Sequence, residues 1–313
     1  MVTRCTYCRK HKMGTSSLKR EFVGCVIFMV FSTIWLVSYT DNTTLINMKT
    51  RVASSSVLLP SVAKKDIECP KVSLSKKPLP LTVLVSFPGS GNTWTRHLLE
   101  QMTGIATGSD FFDKNLEAGG FLGESKMNGS TIAVKTHDLY KPQSRKPLRD
   151  IKRAILIIRN PYNAMVADFN RHHSKSHVGI VALPVYIKNW NRHLSEWSRI
   201  WYSLNHSWIT QMDNLLVIFY ENLQKHLEQE LTRLYSFLDD GSFHGNIQCA
   251  LNNTEGNFHR NTSNNLPISF FYGDPDVRLM NRYIDVVDIL LKKYNHSFFD
   301  ISSYKMKLGY IHA

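Results

Sequence analysis

The sequence predicts an α/β fold: a central parallel β-sheet covered by helices on both faces, preceded by one N-terminal transmembrane helix. Three observations carry this. From residue 81 onward, short apolar runs of strand length alternate with longer stretches of helical periodicity, the pattern of a parallel sheet whose strands are buried on both sides. A Gly-rich turn, Pro88-Gly89-Ser90-Gly91-Asn92, joins the first such run to the first helical stretch. An uncharged run from Phe22 to Tyr39 lies ahead of them.

From the N-terminus, residues 1–21 hold six bases and one acid. The run 22–39 would rise about 27 Å as a helix, at about 1.5 Å per residue, enough to cross a thin bilayer. Basic flanks stay on the cytosolic side, so the tail 1–21 is expected in the cytosol and the rest of the chain in the lumen, a single-pass type II arrangement. A cleaved signal peptide is the competing reading; the length of the run and the want of a small-x-small cleavage site favour an anchor. Residues 40–80, rich in Thr, Ser and Lys, read as an extended stem, and 81–313 as the luminal domain.

The chain carries 38 Lys+Arg against 25 Asp+Glu, a net charge of +13. About +8 of this remains beyond the tail, a balance that suits an anionic ligand or acceptor. No nucleic-acid partner is expected. Six Asn-x-Ser/Thr sequons, at Asn42, Asn128, Asn205, Asn252, Asn261 and Asn295, all follow the span, on the side where glycosylation occurs. Of five cysteines, only Cys69 and Cys249 lie beyond the span; they either pair as one disulfide or stay two buried thiols. Cys5-x-x-Cys8 with His11 lacks a fourth zinc ligand, and acylation suits these two cysteines better.

Within the domain, Leu81 to Phe87 is a β-branched strand run, and Thr93 to Met102 a helix with Trp94, Leu98 and Met102 on one side. Further strands are predicted at 131–134, 154–158 and 214–220. Helices are predicted at 161–171, 184–204, 222–237 and 276–293. Pro161 and Pro184 suit a first helical turn, where a missing N–H costs nothing.

Three segments carry chemistry. The turn at 86–93 points backbone N–H groups and a helix N-terminus at one spot, the device that holds phosphate. Gly89 and Gly91 allow close approach, and Ser90, Asn92 and Thr93 add side-chain donors. An ATP or GTP P-loop needs GxxxxGK followed by a hydroxyl residue, and Gly91 is followed by Asn92-Thr93 with no Lys. In Lys135-Thr136-His137, a neutral imidazole is able to take a proton from an attacking hydroxyl, and a nearby ammonium to offset charge on a leaving phosphate; the competing reading is a structural histidine. Arg159, at the end of the apolar run 154–158, projects into the ligand crevice of an open α/β sheet, where a planar guanidinium fits phosphate.

Phe87-Pro88-Gly89-Ser90-Gly91-Asn92-Thr93-Trp94 is similar to the 5′-phosphosulfate loop of sulfotransferases that use 3′-phosphoadenosine 5′-phosphosulfate (PAPS), written aromatic-Pro-Lys-Ser-Gly-Thr-Thr-Trp. Pro88, Ser90, Gly91, Thr93 and Trp94 match, whereas the family's Lys is Gly89, leaving Lys135 as the candidate cation. Lys135-Thr136-His137 resembles the Lys-Thr-His segment in which the His is the base. The resemblance places Arg159 on the 3′-phosphate; its usual Ser partner is Ala167, with Asn163, Asn170 or Arg171 as compensators and Asp168 expected to point away. Tyr220, in a segment like Leu-x-Tyr-Glu-Asp, is then near adenine or simply a core tyrosine, and Phe258 and Arg260 occupy the place of the nucleotide-covering loop.

Phe-Pro-Gly-x-Gly-Asn-Thr-Trp, Lys-Thr-His, Arg-Asn-Pro-Tyr-x-Ala-x-Val-Ala and Gly-Asn-Phe-x-Arg together resemble the WSCD (WSC-domain, sialate O-sulfotransferase) family, in a short form without WSC modules. This implies a P-loop-NTPase-like three-layer sandwich, a Golgi-membrane setting, PAPS as co-substrate, a glycan or glycoprotein acceptor and no metal. Two other classes stand beside it. A non-catalytic PAPS- or glycan-binding relative is favoured by the loss of the loop Lys and the Ser, and opposed by the retained Lys-Thr-His. A luminal kinase or nucleotidase needs a magnesium site that the sequence does not show.

Overall fold

The computed structural model describes residues 68–140, 148, 150–257 and 266–309. The expected tail, the span 22–39, the stem up to residue 67, and Phe258 and Arg260 lie outside them. Among the described residues no helix is long and apolar enough to cross a membrane.

Five strands form one sheet: β1 (Thr82–Ser86), β2 (Gly108–Ser109), β3 (Val134–Thr136), β4 (Arg153–Ile158) and β5 (Leu215–Phe219). Their order is β2-β3-β1-β4-β5, with every neighbouring pair parallel. The period-2 geometry of a strand splits each apolar run between two cores. Val83, Val85, Leu156, Ile158, Val217 and Phe219 face α3 (Pro161–Ser174), α4 (Leu183–Gln211) and α8 (Asp274–Lys293). Leu84, Ile155, Ile157 and Ile218 face α1 (Asn92–Thr103), α6 (Leu227–Leu238) and α7 (Ile247–Asn252). Runs apolar at every position thus give the three-layer sandwich predicted for them.

Strand β2 and the helix α7 were not among the predicted elements, and two that were predicted differ in the structure. The strand predicted at 131–134 begins only at Val134, because β1 pairs from Val83↔Val134 to Val85↔Thr136. Residues just before it bond only towards the β2 side, Ile132 N–H to Ala106 O and Gly108 N–H to Ala133 O. The helix predicted over 222–237 is two, α5 (Tyr220–Lys225) and α6, broken at His226 with φ −133° and ψ 46°. No Pro or Gly marks the break; each half answers to a different anchor. Glu221 on α5 accepts from Asn160 N–H and from the Tyr304 hydroxyl, while Leu231, Leu234 and Leu238 bury α6 under the sheet.

Residues placed by composition at the end of the stem dock on the domain. Ser73 bridges Ile105 in parallel, Leu79 is buried, and Cys69 forms a disulfide with Cys249 across 180 residues, Cα–Cα 5.6 Å. A cross-link of this span is worth about 2–4 kcal/mol. Cys249→Ser is expected to lower Tm by about 4–16 °C at roughly 2–4 °C per kcal/mol; a melt shifted by less than about 2 °C would assign the bridge no stabilising role. The sequon at Asn205 is closed to glycosylation in the folded domain: the residue is 1% exposed and its Nδ2 donates to Trp201 O within α4.

Candidate active site

Parallel strands end together, so the turns leaving β1, β3 and β4 meet at one edge of the sheet. There a cavity of about 930 Å³ is lined by Gly89, Gly91, Asn92, Thr93, Trp94, Lys135, His137, Arg159 and Tyr220, among others, near the upper end of ligand-pocket sizes. Of the residues singled out in the sequence, Pro88 and Ser90 are buried within the loop itself.

The loop depends on two left-handed glycines, Gly89 at φ 77° and Gly91 at φ 88°. A Cβ at Gly91 would stand 2.5 Å from Tyr220 Cδ2, and one at Gly89 would stand 2.7 Å from Ala164 O. The loop is therefore clamped between a tyrosine ring and the backbone of α3. Gly91 caps α1, whose first amides have no partner within the helix and whose dipole favours an anion. The Asn92 amide turns back into the sheet, with Nδ2 donating to Leu84 O (3.2 Å) and Ser86 Oγ (3.1 Å); it staples the loop to β1. Trp94 Nε1 donates to Thr254 O at 2.9 Å, fastening the segment after α7 to α1.

Lys135 and His137 follow from β3 being β1's neighbour. Lys135 pairs with Leu84 in the ladder and is 6% exposed; burial first, then the Arg96 guanidinium, holds its ammonium down at about 8. His137 Nδ1 lies 2.7 Å from Ser86 O. A carbonyl only accepts, so Nδ1 carries the hydrogen and Nε2 keeps the lone pair. Desolvation and the Lys135 charge push His137 down to about 3, so the ring is neutral at physiological pH. Phe111 stacks on the ring at 6.2 Å.

Arg159 closes the other side. Its Nη1 donates to Gly89 O at 2.6 Å, and its guanidinium lies 4.2 Å over the Tyr220 ring, which in turn meets Trp94 edge-on at 6.0 Å. Ala167 sits against the loop, 3.1 Å from where a Gly89 Cβ would be. Asp168 is fully buried, and its Oδ1 accepts from Arg171 Nε (3.3 Å) and Nη2 (2.9 Å).

Sequence reasoning missed the support beneath Lys135. Arg96 Nη2 pairs with Glu124 Oε2 at 2.7 Å, both side chains fully buried, and Arg96 Nε donates to Thr107 Oγ1 at 2.8 Å. Glu100 Oε1 accepts from Thr107 N–H and its hydroxyl. The signal available was two residues of opposite charge, Arg96 and Glu100, at i and i+4 on one helix face. It also missed His177, which lines the cavity and whose Nε2 meets Asp113 Oδ2 at 2.8 Å. Among the described residues no group of His, Cys, Asp or Glu is placed to hold a metal ion.

A scan against models of protein families matches residues 79–266 to the family described as "Sulfotransferase domain". A WSCD family member of Drosophila melanogaster is 38% identical over 195 residues, 60% of this chain and 60% of that protein. One of Aedes aegypti is 38% identical over 185 residues, 58% of this chain and 57% of that protein. The chain thus aligns with about 60% of the length of these relatives. Among solved structures, mouse sulfotransferase SULT7A1 complexed with PAP aligns with a TM-score of 0.45 at 18% identity, covering 72% of this chain and 91% of that one.

Proposed function

This chain belongs to the sulfotransferase domain family, and from that premise we propose that it moves a sulfuryl group from PAPS to a hydroxyl of a glycan acceptor. The observation that carries the proposal is the pairing of Ser86 O with His137 Nδ1. It joins the strand that feeds the phosphate-binding loop to an imidazole whose free nitrogen is a base, in one cavity with Lys135. Two buried groups fit an anionic ligand there: Ser90 Oγ and Arg159 Nε have no hydrogen-bond partner among the described residues, a cost that a bound oxyanion offsets.

The loop amides and Ser90 hold the 5′-phosphosulfate, and Arg159, stacked on Tyr220, serves the nucleotide end. His137 Nε2 takes the acceptor's proton as the acceptor oxygen forms its bond to sulfur. The bond from sulfur to the bridging oxygen breaks, its electron pair leaving with adenosine 3′,5′-bisphosphate (PAP), and the Lys135 ammonium lies close to that charge. In the free protein His137 is too weak a base, because burial and then the neighbouring cations, Lys135 first, hold its pKa down. A bound polyanion reverses that field and raises the imidazole towards the range useful for proton transfer.

The acceptor we favour is a sialylated glycan, supported by the basic balance of the chain and the motif likeness to WSCD proteins. A luminal, Golgi-membrane setting is supported by the Cys69–Cys249 disulfide, since such bonds persist in oxidising compartments. The full-length protein with radiolabelled PAPS and a panel of sialylated and neutral glycans is the test. Label on a glycan upholds the proposal; PAP binding with no transfer to any glycan, peptide or lipid hydroxyl moves the reading to a nucleotide-binding relative.

A pH dependence follows. Lys135 is charged below about 8 and loses its charge above it, whereas phosphate groups, with a second pKa of about 6, are ionised throughout this range. PAP affinity is expected to weaken as pH rises from 7 to 9, and Lys135 to take up protons there as PAP binds. Calorimetry in buffers of different ionisation heat reads both, and an affinity flat over that range removes Lys135 from the site.

A further inference from the structure

Gly89 deprives the loop of the ammonium that the family resemblance implies, and the geometry shows what stands in its place. The loop lies so close to α3 that a Cβ at Gly89 would reach Ala164 O at 2.7 Å, Asp168 N at 2.8 Å and Ala167 Cβ at 3.1 Å. Small residues at 89 and 167 are two halves of one contact. That contact seats α3 along the cavity, and its cavity-facing side includes Asn163, Ala167 and Arg171, successive i, i+4 positions on one helix face. Arg171 therefore stands one turn beyond the point where the loop touches the helix.

We propose that Arg171 is the catalytic cation that replaces the absent loop lysine, contacting the transferring sulfuryl group and its bridging oxygen rather than the 3′-phosphate. The inference rests on the sulfuryl-transfer reading above.

Three features place it there. Arg171 is anchored, because Asp168 Oδ1 takes its Nε and Nη2 from a fully buried position, while the Arg171 side chain is 34% exposed. Its Nη1 has no hydrogen-bond partner among the described residues. A buried acid beside an anion site is otherwise unfavourable, and Asp168 is accounted for as the group that fixes the guanidinium's direction. Second, the two cavity arginines are separated: Arg159 precedes α3 and binds Gly89 O beside Tyr220, whereas Arg171 is ten residues into α3 from Pro161, about 15 Å along the axis. Third, Arg171 lines the same cavity as Lys135 and His137. Lys135 is a second cation near that charge, buried on β3, and a guanidinium keeps its charge at a pH where an ammonium held down at about 8 loses it.

Negative charge grows on the bridging oxygen as its bond to sulfur breaks. A fixed cation there stabilises the transition state more than the ground state, so its removal lowers kcat rather than raising KM. A contact to the 3′-phosphate exists equally before the reaction and would appear in KM and in PAP affinity.

The test compares full-length wild type, Arg171→Ala and Arg171→Lys with PAPS, PAP and adenosine 5′-phosphosulfate, which lacks the 3′-phosphate. Arg171→Ala is expected to lower kcat by about 100-fold and to shift PAP affinity by less than about 3-fold. Arg171→Lys is expected to recover part of the rate, and preference for PAPS over adenosine 5′-phosphosulfate to survive in both. Unchanged kcat in Arg171→Ala, or loss of PAP affinity together with loss of that preference, overturns the assignment. If the alanine variant does not fold, Arg171→Gln and Arg171→Lys carry the same comparison. A wild type that transfers sulfuryl normally while Arg171→Ala matches it sinks this inference alone; a wild type that neither binds PAP nor turns over PAPS sinks the sulfuryl-transfer reading and this with it.

Discussion

Replacing His137 by alanine lowers the rate of sulfuryl transfer by about 10²–10⁴-fold, the usual worth of a positioned general base, and leaves PAP affinity nearly unchanged. The argument is geometric first. His137 Nδ1 is committed to Ser86 O, so only Nε2 is available to a hydroxyl, and the ring is held neutral by burial and by Lys135. In the same cavity Lys135 is protonated below about 8, Glu100 is engaged by Thr107, and His177 is turned onto Asp113. Because alanine also deletes the bond to Ser86 O, His137→Asn is the informative companion. Its amide is able to donate to the same carbonyl but offers no base, so it is expected to be as slow as alanine. Single-turnover rates with labelled PAPS, beside PAP affinity by calorimetry, read the two quantities separately. An asparagine variant retaining more than about a tenth of the rate would mean that a group other than the imidazole takes the proton, given the losses usual for a true base.

Gly89→Lys restores the residue that the phosphosulfate-loop pattern calls for, and is expected to damage the protein rather than activate it. At φ 77° an L-residue costs about 1–2 kcal/mol. The new Cβ meets the backbone of α3 at 2.7 Å, an overpacking that adds about 1–3 kcal/mol. The contact is with a carbonyl oxygen and an amide nitrogen rather than the end of a flexible side chain, so relief requires the loop and the helix to part. A Tm lower by roughly 4–20 °C follows, at about 2–4 °C per kcal/mol, together with weaker PAP binding, because the loop amides move. Thermal melts and calorimetry of Gly89→Lys and of Gly89→Lys with Ala167→Ser decide it. Unchanged melting with faster transfer would show that the loop has room for the lysine and that Gly89 is a simple loss.

How much of this was legible in the chain depends on what each signal reports. Fully apolar strand runs report burial on two faces, and their alternation with helical stretches implied a covered parallel sheet; β4 and its neighbours have that form. In such a sheet the strand ends converge, so Ser86, Lys135, His137 and Arg159 come to one edge without any knowledge of loop lengths. The Gly-rich turn between strand and helix was readable for the same reason, since only glycine enters φ above zero without strain. Cys69 and Cys249, by contrast, carry no signal of their separation, and their pairing followed from the docking of the segment before β1 on α7. The break at His226 has no local marker either, since Asn160 and Tyr304, which hold Glu221, are distant in sequence.

Residue types and periodicity, which are local, determined the class of fold and the Gly-rich loop, and singled out Lys135, His137 and Arg159 as candidates. Packing between elements decided the rest: that Gly89 is held against α3 rather than merely lacking a side chain, and that the Asn92 amide serves the strand. The reason is distance. Periodicity tells which face of an element is buried, and only the assembled core tells which other element, at 2.7 or 3.1 Å, it is buried against.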